Sequence, residues 1–365
     1  MNDEELKQFV SVHVKEGKWQ VVILFFDVLL HCRGVSEVEI NDREKARTLS
    51  WWPADEDKDL EVLCKMLTNS DYRINGLNLS NIADEGVKHI AKALLHGNVK
   101  LNSLNLSCDD LPDEGIKHLA KALSNSDCEL SSLDLSWCDL SDKKVKHLAE
   151  ELLDSNCKLN SLNLSHAFEI TSEGVEQIAK VLNVCQLHSL NLSESNITDK
   201  GVKYLAEALK YSNGKLKILN LKWSKITEEG VKHLAEALEH SNCELNSLNL
   251  SYCELKDEGV KHLAEALKHS NCELTSLNLS CCELKDEGVK HLAEALEHSN
   301  CELNSLNISD NYGITDEGVK HLAEAIKHRN CKLNSVNISD NRRITDDGVE
   351  HLAEVLKHSN CKLYS

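Results

Sequence analysis

The chain has 365 residues, only two prolines, 60 acidic against 41 basic side chains and a net charge of -19. Such acidity repels phosphate backbones, which argues against general nucleic-acid binding and suits a basic protein partner better. A 41% hydrophobic content excludes global disorder.

The first residues, Met1 to Glu5, are acidic where a secretory signal needs a positive start. A cytoplasmic chain with reduced thiols is therefore expected, despite 15 cysteines. Glu4 to Val14 reads as an amphipathic start. Val21 to Leu30 is an apolar run of ten residues that contains Asp27. A membrane span needs about 20 apolar residues, so the run predicts a buried helix and no membrane insertion. An irregular charged stretch follows to Pro53. Leu60, Leu63, Cys64 and Leu67 then take up helical spacing.

From residue 73 onward the phrase Leu-Asn-Ser-Leu-Asn-Leu-Ser recurs. Its central position falls at Leu77, Leu104, Leu133, Leu162, Leu190, Leu219, Leu248, Leu277, Leu306 and Val336, at intervals of 27 to 30 residues. Each unit has two hydrophobic periods. Alternation around Leu248 and Leu250 predicts a strand. Val260, Leu263, Ala264 and Leu267 then stand at i, i+3, i+4 and i+7, one face of a helix. Asp257 and Glu258 mark the helix start, and Asn271 is expected to cap its end. One strand and one helix cannot bury their apolar sides alone, so neighbouring units must stack. The expected fold is α/β, a solenoid horseshoe with parallel strands concave and helices convex.

The pattern Leu-x-x-Leu-x-Leu-x-x-Cys/Asn-x-Leu is met by Leu245, Leu248, Leu250, Cys253 and Leu255, and by Leu274, Leu277, Leu279, Cys282 and Leu284; Asn311 and Asn341 fill the Cys/Asn position later. These residues resemble the leucine-rich repeat. Unit lengths of 28–29 with a full helix resemble its ribonuclease-inhibitor-type subfamily, which NOD-like receptors (NLRs) also carry. The segment from Glu16 through Trp19 and Phe25 to Leu30 resembles the last helical subdomain before the repeats in those receptors. On that resemblance, residues 1–47 are a helical segment, 48–72 a degenerate N-terminal capping repeat, and 73–365 ten repeats plus a truncated eleventh. The stop inside a strand suggests a fragment or truncated product.

Comparing the units with one another singles out one column. The position two residues after the last strand Leu or Ile reads Asn81, Cys108, Trp137, His166, Glu194, Trp223, Tyr252, Cys281, Asp310 and Asp340, while neighbouring columns are monotonous Ser and Asn. In this architecture the column lies on the concave edge. Trp137, His166, Glu194, Trp223, Tyr252, Asp310 and Asp340 are therefore the candidate partner-binding residues, with Trp223 and Tyr252 as neighbours on strands about 4.8 Å apart.

The remaining chemistry reads as structure. Phase-locked cysteines are expected to be buried small hydrophobes. The recurring His-x-x-Cys (His240/Cys243, His269/Cys272) follows from duplication and is not a zinc site. Helix histidines such as His233, His262 and His291 are expected on a solvated face. Asn-x-Ser at Asn105, Asn163, Asn191 and Asn249 would be glycosylated only in a secreted chain. Asp257–Glu258 pairs recur in nearly every unit, and no phosphate-loop, His-Glu-x-x-His or Gly-x-Ser-x-Gly motif occurs. The expectation is a non-enzymatic interaction scaffold without cofactor, bound nucleotide or metal. The resemblance implies ligand sensing or autoregulation in innate immunity. Alternatives are a ribonuclease-inhibitor-like binder of a basic enzyme and a Ran-type GTPase-activating scaffold.

Overall fold

The computed structural model describes residues 37–41, 46–51, 64, 67–68, 74–79, 82, 84–97, 99–107, 111–153, 157–211, 215–357 and 361–365. The apolar run at 21–30 lies outside them. The chain divides into two compact units: residues 1–139 with 150–159, and residues 140–149 with 160–365.

In the first unit β1 (Glu37–Asn41) and β2 (Ala46–Trp51) form an antiparallel ladder. This corrects the expectation of an irregular stretch before Pro53. β2 then pairs in parallel with β3 (Gly76–Leu79), which leads to β4 (Ser103–Asn105) and β5 (Ser132–Asp134) in the same sense. Helices α1 (Asp84–Leu94) and α2 (Asp113–Leu123) follow β3 and β4 and pack on each other. Helix α3 (Asp142–Leu153) has its two ends in different units.

The second unit holds β6 (Ser161–Asn163), β7 (Ser189–Asn191), β8 (Ile218–Asn220), β9 (Ser247–Asn249), β10 (Ser276–Asn278), β11 (Ser305–Asn307), β12 (Ser335–Asn337) and β13 (Lys362–Tyr364), all parallel and in chain order. Between them run α4 (Ser172–Leu182), α5 (Asp199–Tyr211), α6 (Glu228–Leu238), α7 (Lys256–Leu267), α8 (Asp286–Leu296), α9 (Asp316–Lys327) and α10 (Asp346–Leu356). Register never slips: Leu219 faces Leu248, which faces Leu277, which faces Leu306. A one-residue slip would turn these buried leucines to solvent, so burial itself fixes the register.

Most of these strands are only three residues long, yet the ladder extends beyond them. Asn246 and Ser247 both donate their N–H to the Lys217 carbonyl at 2.9 Å, and Leu250 donates to the Asn278 carbonyl at 3.0 Å. Asn249 closes the strand: its Oδ1 accepts the Ser251 N–H at 3.0 Å, and Asn163, Asn191, Asn220, Asn278, Asn307 and Asn337 do likewise two residues on. The Asn-Leu-Ser sequence is thus the signature of an Asx turn, which accounts for its recurrence without glycosylation.

The Cys/Asn position shares one task between two chemistries. Asn311 donates from Nδ2 to the carbonyls of Leu279, Ile308 and Ser309 at 2.9 to 3.1 Å, and its Oδ1 accepts the N–H of Cys282 and Leu284. Cys253 and Cys282 place their thiols against the Leu221 and Leu250 carbonyls at 3.5 and 3.1 Å. Each replaces one amide donor with a weak thiol donor that fits a buried site. Most of the thirteen cysteines among the described residues are buried.

Helices are stapled to their successors through the acid at their start. Asp286, the first residue of α8, accepts the N–H and hydroxyl of Thr315 at 2.8 Å and the N–H of Gly318 at 3.0 Å, three donors at the start of α9. Asp142, Asp199 and Asp316 bind Thr171, Thr227 and Thr345 in the same way. The helix-start reading was right about place but incomplete: the first acid serves the next repeat, and the second forms an i,i+3 pair with lysine, as Glu258 does with Lys261 at 2.9 Å. The approach is so close that a Cβ on Gly288 would lie 2.5 Å from the Asp257 carboxylate, which is why glycine stands there.

Asn271 caps a different helix from the one expected. Its Nδ2 donates to the carbonyl of Glu239, the C-cap of the preceding α6, at 3.0 Å. Its backbone N–H donates to Nδ1 of His269, while Cys272 donates to the His269 carbonyl at 3.1 Å. The His-x-x-Cys recurrence is this turn, repeated at His240, His298 and His328. The helix histidines are half-buried rather than fully solvated: the side chains of His233 and His291 are 27% and 20% exposed.

Candidate recognition column

Every described residue of the variable column has a left-handed backbone. Trp137, His166, Glu194, Trp223, Tyr252, Cys281, Asp310 and Asp340 have φ between 55° and 62°. Left-handed φ costs a side-chain-bearing residue about 1–2 kcal/mol, and a Trp there is a genuine outlier. The ladder enforces the conformation. Trp223 and Tyr252 donate their N–H to the Ser251 and Ser280 carbonyls of the next repeat at 2.9 Å, and His166, Glu194, Cys281 and Asp310 make the equivalent bond. The chain must then bend sharply to deliver the next residue, Ser, Cys, Asn or Ala, into the interior. The column side chain is left pointing out.

In the first unit Trp137 is 54% exposed. In the second, Trp223 and Tyr252 stack nearly parallel, with ring centroids 4.5 Å apart and planes 11° apart, while remaining 53% and 37% exposed. Lys222 Nζ lies 5.5 Å from the Tyr252 ring centre and 3.7 Å from a Glu194 oxygen; the other Glu194 oxygen is 3.2 Å from His166 Nδ1. Phe168 meets the His166 ring edge-on at 6.3 Å and is 57% exposed. Desolvation first, and then the nearby Asp310 carboxylate, push the Tyr252 phenol above its usual range, so it is neutral at physiological pH. Asp310 is half-buried and Asp340 exposed.

Three members of this surface escaped the comparison of units. Ile218 is 46% exposed where β7 and β9 carry Ser189 and Ser247. Lys222 replaces the serine found at 193, 251, 280 and 309. Phe168 belongs to a loop one residue longer than its neighbour in the next unit. Comparing all columns, instead of one, would have exposed the first two.

Titratable groups elsewhere have structural duties. Among the described residues no three His, Cys, Asp or Glu side chains are placed to hold a metal ion. Burial pushes the Cys253 thiol up to about 12 and that of Cys272 up to about 11, far from nucleophilic thiolates. No helix among the described residues is long and apolar enough to cross a membrane.

The leucine-rich-repeat family model matches eight segments, residues 127–146, 155–179, 185–206, 212–235, 241–264, 270–293, 299–323 and 329–353, more than half of the chain. The chain belongs to the leucine-rich-repeat family. Its α/β solenoid is also similar to solved structures. A chain of the Rad7 and Elc1 complex from yeast is 16% identical with a TM-score of 0.53, the match covering 87% of this chain and 80% of that one. An internalin from Listeria monocytogenes is 17% identical with a TM-score of 0.45, covering 88% and 86%. No curated protein matches the chain. At 16% identity the likeness to the chain of the Rad7 and Elc1 complex speaks for the fold alone.

Proposed function

We propose that this leucine-rich-repeat chain is a non-enzymatic protein-interaction scaffold that binds through its concave column. The observation that carries the proposal is the stacked pair Trp223–Tyr252. Two large aromatics remain open to solvent on strained backbone, at a position that most other repeats fill with a smaller or charged side chain. Rigid aromatics of this kind are typical interface anchors, and strain held by the surrounding structure accompanies functional positions. Asp286, His269 and Cys282, groups of a kind that could carry catalysis, are instead occupied by a helix staple, a turn and a core bond. His166, Glu194, Asp310 and Asp340 would supply polar contacts around the anchor, and Trp137 a separate contact in the first unit.

The double variant Trp223→Ala/Tyr252→Ala should weaken a captured partner about 100-fold or more with an unchanged circular-dichroism spectrum. Undiminished binding would overturn the proposal. Repeat length and the segment from Trp19 to Leu30 support a finer reading, an NLR-like autoregulatory module in the cytoplasm. Adding the chain in trans to an NLR nucleotide-binding module should suppress its nucleotide-driven oligomerisation, and unchanged sedimentation would sink that reading. The net charge of -19 favours a second reading, a ribonuclease-inhibitor-like grip on a basic enzyme. Unaltered activity of a basic ribonuclease at low salt would remove it.

A further inference from the structure

Charge is distributed unevenly along the column. At its aromatic end the charges compensate internally, because Glu194 lies beside both Lys222 and His166. At the other end, two repeats beyond Tyr252, the adjacent Asp310 and Asp340 side chains form no ion pair among the described residues. Between the two ends sits Cys281, small and half-buried. The surface is therefore an apolar shelf of Trp223 and Tyr252, then Cys281, then two carboxylates outside any ion pair among the described residues, the Arg342 guanidinium lying instead over the Tyr312 ring at 4.9 Å.

Spacing turns this polarity into a ruler. Neighbouring strands lie about 4.8 Å apart, so the middle of the aromatic pair is about 12 Å from Asp310 and about 17 Å from Asp340. An extended chain advances about 3.3 Å per residue, so four residues cover about 13 Å. The reach of a lysine or arginine side chain covers the remainder. Resting on the concave-column reading, we infer that the occupant is an extended segment of a partner protein that crosses the strands. It lays a bulky apolar side chain on the Trp223–Tyr252 shelf and, about four residues away, an arginine or lysine between Asp310 and Asp340. The shelf provides the anchor and the carboxylates fix its direction, because reversing the segment would set the cation beside Lys222.

The test uses the full chain and synthetic ten-residue peptides carrying one tryptophan and one arginine at separations of two to six residues, with fluorescence anisotropy as the readout. Binding should be tightest at a separation of about four and fall about 10-fold when the arginine becomes glutamate. The double variant Asp310→Lys/Asp340→Lys should invert that preference, and Asp310→Asn/Asp340→Asn should abolish it with an unchanged thermal melt. If Trp223→Ala/Tyr252→Ala abolishes binding while the charge variants leave the peptide preference intact, the partner chemistry is wrong and the concave-column reading stands. If the charge variants act but the aromatic variant does not, the shelf is not the anchor and both readings fall. Absence of binding by every peptide at millimolar concentration overturns the inference.

Discussion

Trp223 separates two contributions that usually travel together. Its side chain stacks on Tyr252, worth about 0.5–1.5 kcal/mol, while its left-handed backbone costs about 1–2 kcal/mol. Replacement by alanine loses the stack and keeps the strain. Replacement by glycine loses the stack and removes the strain, offset by a more flexible unfolded chain at about 0.5–1 kcal/mol. Trp223→Gly should thus be at least as stable as Trp223→Ala in urea denaturation and lose binding to the same degree. A glycine variant markedly less stable than the alanine one would contradict the left-handed geometry. The buried thiols set an alkaline limit. Cys253 moves from 9.0 to about 12 and Cys272 to about 11, so folding favours their protonated forms. That stability is fully present below pH 9 and is lost as pH rises through 11 to 12. The melting temperature should fall across this window, and Cys253→Ala/Cys272→Ala should flatten the fall. Asp316 acts at the opposite end: bonds from the backbone and hydroxyl of Thr345 hold its carboxyl below the ordinary range, so its contribution disappears as acid protonates it.

At the scale of the element, the joint between consecutive helices is the weak point that a view of single repeats conceals. Asp286 holds three donors of α9, including the N-cap residue Thr315 and the N–H of Gly318. Asp286→Ala should cost about 1–2 kcal/mol and fray the first turn of α9 rather than of α8, visible as faster amide exchange at residues 315–319. Exchange confined to α8 would refute the staple. This joint also marks how far the sequence could be read. Leu248, Val260 and Leu263 betray strand and helix because their spacing is set within one unit, and the column at 223 and 252 stands out because its neighbours do not vary. The roles of Asp286, Asn271 and Asn311 are not legible that way. Each bonds to a residue about 27 to 32 positions away, and within a single unit each resembles an ordinary cap or turn residue. The β1–β2 ladder was legible but missed: Val38 and Ile40 alternate with Glu37, Glu39 and Asn41, a two-residue period over a run too short to stand out from the charged sequence around it.

At the scale of the molecule, each unit is held by neighbour-to-neighbour packing: α5 touches α6, α6 touches α7, and β8 touches β9. Stability in such an array is a sum of repeat and interface terms. Leu277 is 1% exposed and packs between Leu248 and Leu306. Leu277→Ala should cost about 2–5 kcal/mol while sparing distant repeats. Hydrogen exchange should show lost protection around residues 247–307 and little change near β6. Uniform loss throughout the second unit would indicate a single cooperative block instead.

The recurring left-handed bend has a consequence for how such a chain acquires new specificities. Its geometry is set by main-chain bonds to the next repeat, and it holds Trp, His, Glu, Tyr, Cys and Asp alike. The occupant of each socket can therefore be exchanged by a change of one codon, without renegotiating the interior. Repeat duplication then adds another socket to the row at no cost in fold.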